Sequence, residues 1–171
     1  MGSGQMALTI AAFMLLGVVM LNYRALNFEN EDVLDTNEYT QKGVAIGRSL
    51  LEEISQKPFD AVIAGGKKIL KVTDLTSCGA GSGEVYPNFN DLDDFHRSTF
   101  RSPAQGTTPT TATPRSLWNT WGYTIWVTVE YVAENNPEVR TSYYTFAKRV
   151  SLRIANDFSR DTLRMSYVAT Y

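Results

Sequence analysis

The sequence predicts an α+β protein in which a long N-terminal α-helix packs its C-terminal half on an antiparallel β-sheet head. Three observations predict it: an uncharged apolar run at the N-terminus, an amphipathic continuation that stops at Pro58, and alternating segments after Trp121. At 171 residues, with 43% hydrophobic residues, the chain has material for one domain with a core plus an appendage. The division expected is a hydrophobic helix over residues 1–30 and a head over residues 31–171.

No charged side chain occurs from Met1 to Tyr23, and MALTIAAFMLLGVVML (Met6–Leu21) is apolar except for Thr9. As a helix rising ~1.5 Å per residue, such a run reaches roughly 34 Å, enough for a hydrocarbon core of about 30 Å. A secretory signal would open on Lys or Arg and close on a small-residue site. Met1–Gln5 has no basic residue and Leu21–Arg24 fits such a site poorly, so cleavage after the run is not expected. Ala7, Ala11, Ala12 and Gly17 suit close helix packing, whereas a plain membrane anchor would need none of them.

Beyond Arg24 the chain turns acidic (Glu29, Glu31, Asp32, Asp35, Glu38) and then amphipathic. Val33/Leu34, Gln41, Val44, Gly47/Arg48, Leu51 and Ile54 fall near helical spacing. Pro58 pushes Lys57 out of the α region, so one helix with a soft spot near Asn22–Asn30 is predicted to end at about Gln56. Gly43 and Gly47 form a small-xxx-small pair that fits close helix approach or loose helix composition.

After Asp60, Gly65–Gly66 and Cys78–Gly83 read as loops around a short strand, Lys68–Thr73. Ser102–Ser116 (SPAQGTTPTTATPRS) has no hydrophobic period and reads as an exposed loop, either bare or O-glycosylated at Thr107, Thr108, Thr110, Thr111 and Thr113. Tyr123, Ile125, Val127, Val129 and Tyr131 then share one strand face. Asn135–Pro137 marks a turn, Tyr144, Phe146, Val150, Leu152 and Ile154 share a face of the return strand, and Leu163, Met165, Tyr167 and Ala169 a face of the last. A three-stranded meander with one apolar face needs a cover, and the amphipathic helix is the long partner available.

Composition excludes several function classes. A formal net charge of −2 with no basic block does not suit nucleic acid, and Lys67, Lys68, Lys71, Arg149 and Arg153 read as solvated, so DNA is not expected as a partner. One cysteine, Cys78, and one histidine, His96, allow neither an internal disulfide nor a Cys/His zinc cluster. His96 reads as a surface or turn residue without a nucleophile elbow nearby, so no enzyme and no cofactor are expected. Asn88, Asn90, Asp91, Asp93 and Asp94 gather the oxygen ligands that Ca²⁺ takes, yet lack the EF-hand glycine and closing glutamate. Acidic turn residues also cap backbone, and no metal is assigned.

Separated stretches of the chain resemble the type IV pilin and pseudopilin superfamily: the N-terminal MGSGQMALTIAAFMLLGVVMLNY, GRSLLEEISQKPFD (Gly47–Asp60), and NDLDDFH (Asn90–His96) followed by WGYTIWVTVEYV (Trp121–Val132). The last two are similar to those of minor-pilin-like proteins. The resemblance implies a pilin-like fold and a structural subunit of an extracellular filament at the cell surface. Such a subunit sits in the inner membrane beside a pilus assembly machine, then joins identical subunits in a helical homopolymer. Residues implied for helix-core assembly are Gln5, Met6, Leu8, Ile10, Phe13, Leu16, Gly17, Val18 and Leu21. Gln5 stands where such pilins usually carry a glutamate that pairs with a neighbour's terminal amine; it hydrogen-bonds but forms no ion pair. The usual basic leader is absent, which leaves Met1 or Gln5 as the mature terminus. A low-copy pseudopilin or minor pilin and a membrane-anchored binding domain are the alternative readings.

Overall fold

The structure, a computed structural model, describes residues 2–159 and 161–171, with the chain followed as backbone only across residues 25–35. Met1, one candidate mature terminus, and the side chains of Glu29, Glu31, Asp32, Val33, Leu34 and Asp35 lie outside the described residues. Helix α1 runs from Ser3 to Ser55 without interruption at Asn22–Asn30. The chain divides into two compact units, Met1–Glu38 and Tyr39–Tyr171.

In the first unit, Ser3–Arg24 is long and apolar enough to cross a membrane. Thr9, the polar interruption, donates its hydroxyl to the carbonyls of Met6 (2.9 Å) and Gln5 (3.2 Å), so it brings no unsatisfied group to an apolar surface.

In the second unit, five strands form an antiparallel sheet: β1 (Thr99–Arg101), β2 (Tyr123–Ala133), β3 (Asn136–Arg140), β4 (Ala147–Asn156) and β5 (Thr162–Thr170). The order is β1-β2-β4-β5, with β3 paired to the end of β2. Registers such as Val127↔Leu152 and Leu152↔Met165 put the predicted apolar positions on one face. Tyr123, Ile125, Val127, Val129, Val150, Leu152 and Ile154 are buried there against Ile46, Leu50 and Ile54 of α1. The fold is therefore α+β, with the C-terminal part of α1 on an antiparallel sheet.

Some local expectations need correction. Lys68–Thr73 is not a strand. Ile69 is buried, but the Asp74 carboxylate accepts from the backbone N–H of Leu70 (3.3 Å) and Lys71 (3.1 Å), and Val72–Asp74 closes as a 3₁₀ turn. The asparagine-proline turn begins β3, and β1 is an additional edge strand. The buried stripe of α1 is Gly43, Ile46, Gly47, Leu50 and Ile54; Gln41 and Arg48 are exposed and Leu51 is half-buried.

Gly43 and Gly47 serve helix-on-sheet packing. A Cβ on Gly43 would come within 2.7 Å of Leu163 Cδ1, and one on Gly47 within 2.5 Å of Met165 Sδ and 2.6 Å of Ile154 Cδ1. Glycine lets the helix backbone sit directly on β4 and β5. Gly47→Leu is accordingly expected to destabilise the head by about 2–3 kcal/mol through overpacking, read as a lower denaturation midpoint at unchanged slope.

Candidate functional site

The head is built around an amine in its core. Lys148 lies on β4 at an inward position between Phe146 and Val150, and no part of it reaches solvent. Pro58 ends α1 and leads to Asp60, which caps the short helix α2 (Ala61–Ala64) by accepting from Val62 N–H at 3.1 Å. The other Asp60 oxygen accepts from Thr76 N–H (3.0 Å) and from Lys148 Nζ (3.1 Å). Asp93 opens a 3₁₀ turn, Asp93–Phe95, and its Oδ2 accepts from Lys148 Nζ at 2.6 Å. Nζ also donates to the Phe59 carbonyl (2.9 Å) and lies 4.3 Å from the Phe59 ring centre and 4.8 Å from that of Tyr131. One ammonium thus faces two buried carboxylates inside an aromatic wall.

The two carboxyls are driven apart electrostatically. Burial raises Asp60, but hydrogen bonds from Thr76 and Val62, with the Lys148 charge, outweigh it and hold that carboxyl below its usual range. For Asp93, burial wins over the Lys148 charge and the pKa goes up. Asp93 Oδ1 is buried with no close donor among the described residues, and the Cys78 thiol supplies only a weak hydrogen bond to that carboxyl. The Cys78 thiol beside it is pushed up to about 12, by burial first and then by the Asp93 charge, so it stays protonated. Tyr131 donates its hydroxyl to Thr76 O at 2.6 Å, tying β2 to the same loop.

The acidic run that offered oxygen ligands is spent on backbone and on Lys148. Asp91 accepts from Asp93 N–H (2.7 Å) and Asp94 N–H (3.3 Å), while Asp94 accepts from Asn90 N–H (2.8 Å) and Asp91 N–H (3.3 Å). The Asn90 side-chain amide donates to Glu84. Among the described residues no group of three His, Cys, Asp or Glu is placed to hold a metal ion. His96 is half-buried; its Nδ1 accepts from Val129 N–H at 3.1 Å, and its pKa is lowered by burial first and then by Arg97. It ties the loop to β2.

Asp91 makes the head sensitive to pH. Its carboxyl is raised from 3.8 to about 7 by burial, then by the charges of Asp93 and Asp94, against the N–H groups it accepts. A carboxyl whose folded pKa lies above its unfolded value stabilises fully below the unfolded pKa, and that contribution is lost as pH rises through the folded one. The head is therefore expected to lose stability, on the order of a few kcal/mol, between about pH 4 and 7. Asp91→Asn, which keeps the acceptor oxygen, should flatten that slope in melts followed by circular dichroism.

The residues expected to assemble subunits all lie on the exposed surface of Ser3–Arg24: Gln5, Met6, Leu8, Ile10, Phe13, Leu16, Gly17, Val18 and Leu21. Leu8 and Phe13 are 72% and 73% exposed, and a side chain added at Gly17 would meet open space. Of the loop threonines, Thr107, Thr108, Thr110 and Thr111 are exposed and Thr113 is half-buried. Thr107 hydrogen-bonds Ala104 O and Thr110 pairs with Thr113 through their hydroxyls. Of the basic residues, Arg149 pairs with Glu130 and Glu138, and Arg153 lies 4.6 Å over the Trp126 ring. Comparison with family models, with curated proteins and with solved structures returns no match.

Proposed function

We propose that this chain is a structural subunit of an extracellular type IV pilus-like filament, held in the inner membrane before assembly and polymerised through Ser3–Arg24. The observation that carries the reading is the contrast within that segment. Its large apolar side chains are exposed along its whole length, while Thr9, the polar interruption of Met6–Leu21, is satisfied internally. In a bilayer, lipid covers such a surface; outside the membrane, a bundle of like apolar helices covers it all round. Ala7, Ala11, Ala12 and Gly17 then let neighbouring helices approach, and the α+β head remains outside the bundle.

Electron microscopy of cell-surface fibres, with mass spectrometry of their components, tests the reading. This chain is expected as the dominant component, and Ala12→Asp is expected to abolish the fibres while the head stays folded, because a lone carboxylate cannot be buried in an apolar bundle. A trace amount in fibres made of another subunit would assign the low-copy pseudopilin or minor-pilin role. Complete absence from fibres would leave a membrane-anchored binding domain.

A further inference from the structure

We propose that Lys148 and Asp93 condense within the folded head to form an intramolecular amide between Nζ and the Asp93 side-chain carbon, with Asp60 as the proton carrier. Nucleophile and carboxyl are already in contact at 2.6 Å, and the second carboxylate touches the same nitrogen at 3.1 Å. All three side chains are at most 2% exposed. Fixed contact of this kind makes a step unimolecular that is negligible between free amines and carboxylates.

Three further features favour condensation over a lasting ion pair. The charges do not balance: one ammonium faces two buried carboxylates, and beyond that ammonium the Asp93 side chain has, among the described residues, only the weak Cys78 thiol donor beside it. Forming the amide removes one positive and one negative charge and leaves Asp60 with its own Thr76 and Val62 donors. The Phe59 and Tyr131 rings cover Nζ, so the ions lack the hydration that would hold them charged, and the water that would reverse the reaction is kept away. Finally, the carboxyl held ionised, Asp60, suits a base, and the one raised, Asp93, suits the acid that is attacked.

The step balances without any other reactant. Asp60 takes one proton from the Lys148 ammonium and passes it to an Asp93 oxygen. The freed amine attacks the Asp93 carbon, and its second proton follows to the same oxygen. The carbon–oxygen bond breaks, water departs, the carbon–nitrogen bond remains, and Asp60 ends as the carboxylate it began as. The product ties β4 covalently to the Asp93–Phe95 turn, across 55 residues of sequence. It does not depend on whether the chain polymerises.

The test is the intact mass of the full chain purified in detergent, followed by digestion and fragment sequencing. The wild-type mass is expected to fall one water, about 18 Da, below the sequence value, with a cross-linked peptide pair containing Lys148 and Asp93. Lys148→Arg and Asp60→Asn should each show the full mass of their own sequences. A wild-type chain at full sequence mass, or a missing water mapped to another position, overturns the proposal. The bond persisting in Asp60→Asn overturns the assignment of the proton carrier. Because the wild-type mass decides by itself, the result does not hang on either variant folding.

Discussion

Measured against the wild-type head before the amide forms, Lys148→Met is expected to destabilise by about 3–5 kcal/mol, the usual consequence of removing one partner from a buried ion pair. Methionine fills nearly the same volume, so packing is not the cause. What remains are two carboxylates, Asp60 and Asp93, enclosed by Phe59, Tyr131 and Cys78 with no cation between them. The loss is large against a typical total of about 5–15 kcal/mol. It should appear as a lower denaturation midpoint and as early loss of near-ultraviolet circular dichroism from the aromatic residues around the site. Adding Asp93→Asn to Lys148→Met should recover a substantial part, since one of the stranded charges is gone. A coupling between the two positions below about 0.5 kcal/mol in that cycle would mean that they do not act as a pair.

Much of the architecture was legible because it rests on periodicity. The alternation from Tyr123 to Tyr131 and from Val150 to Ile154 could bury one face only as strands, and those residues are buried. Pro58 had to end the helix, and α1 ends at Ser55. The central site is within reach of the same logic. Lys148 occupies an inward position of the return strand, two residues from Phe146 and two from Val150, and a charged residue at such a position demands a buried counter-charge. Its partners stand in two short motifs, Asp60 at the end of KPFD and Asp93 in the middle of DLDDF. Read without Lys148, Asp93 counts as one oxygen ligand of a cation loop; the cation it faces is the chain's own ammonium.

The rest was not legible because tertiary contacts decide it. Lys68–Thr73 carries β-compatible residues, but Asp74 captures the N–H groups that a sheet ladder would use. Which helix face turns inward depends on the two glycines. With Gly43 and Gly47 set on Leu163, Met165 and Ile154, the buried stripe is Ile46 and Leu50 in place of Val44 and Leu51. Small residues contribute nothing to a hydrophobic pattern, so the sequence marks them as gaps where the structure uses them as the closest contact.

Removal of the chain before Asn30 is expected to yield a soluble, folded, monomeric head that forms no fibres. The core supports the first half of that expectation: Ile46, Leu50 and Ile54, the sheet residues they cover, and Lys148 with its two aspartates all lie beyond the cut. The second half follows from the apolar area removed. On a helix such as Ser3–Arg24 roughly 1,000 Å² of apolar surface is available, and at ~25 cal/mol per Å² its burial among neighbours contributes on the order of 25 kcal/mol before association costs. Those costs are estimated at about 4–15 kcal/mol or more, so the apolar helix suffices to hold a polymer together. Light scattering and electron microscopy of the truncated head, beside the full chain, measure both halves. Gly17→Leu in the full chain adds a finer test, since it enlarges the helix surface where nothing within the chain is near, and should weaken fibres without shifting the melting of the head. Fibres of unchanged diameter from the truncated head would place the assembly contacts in the head and remove the helix from the mechanism.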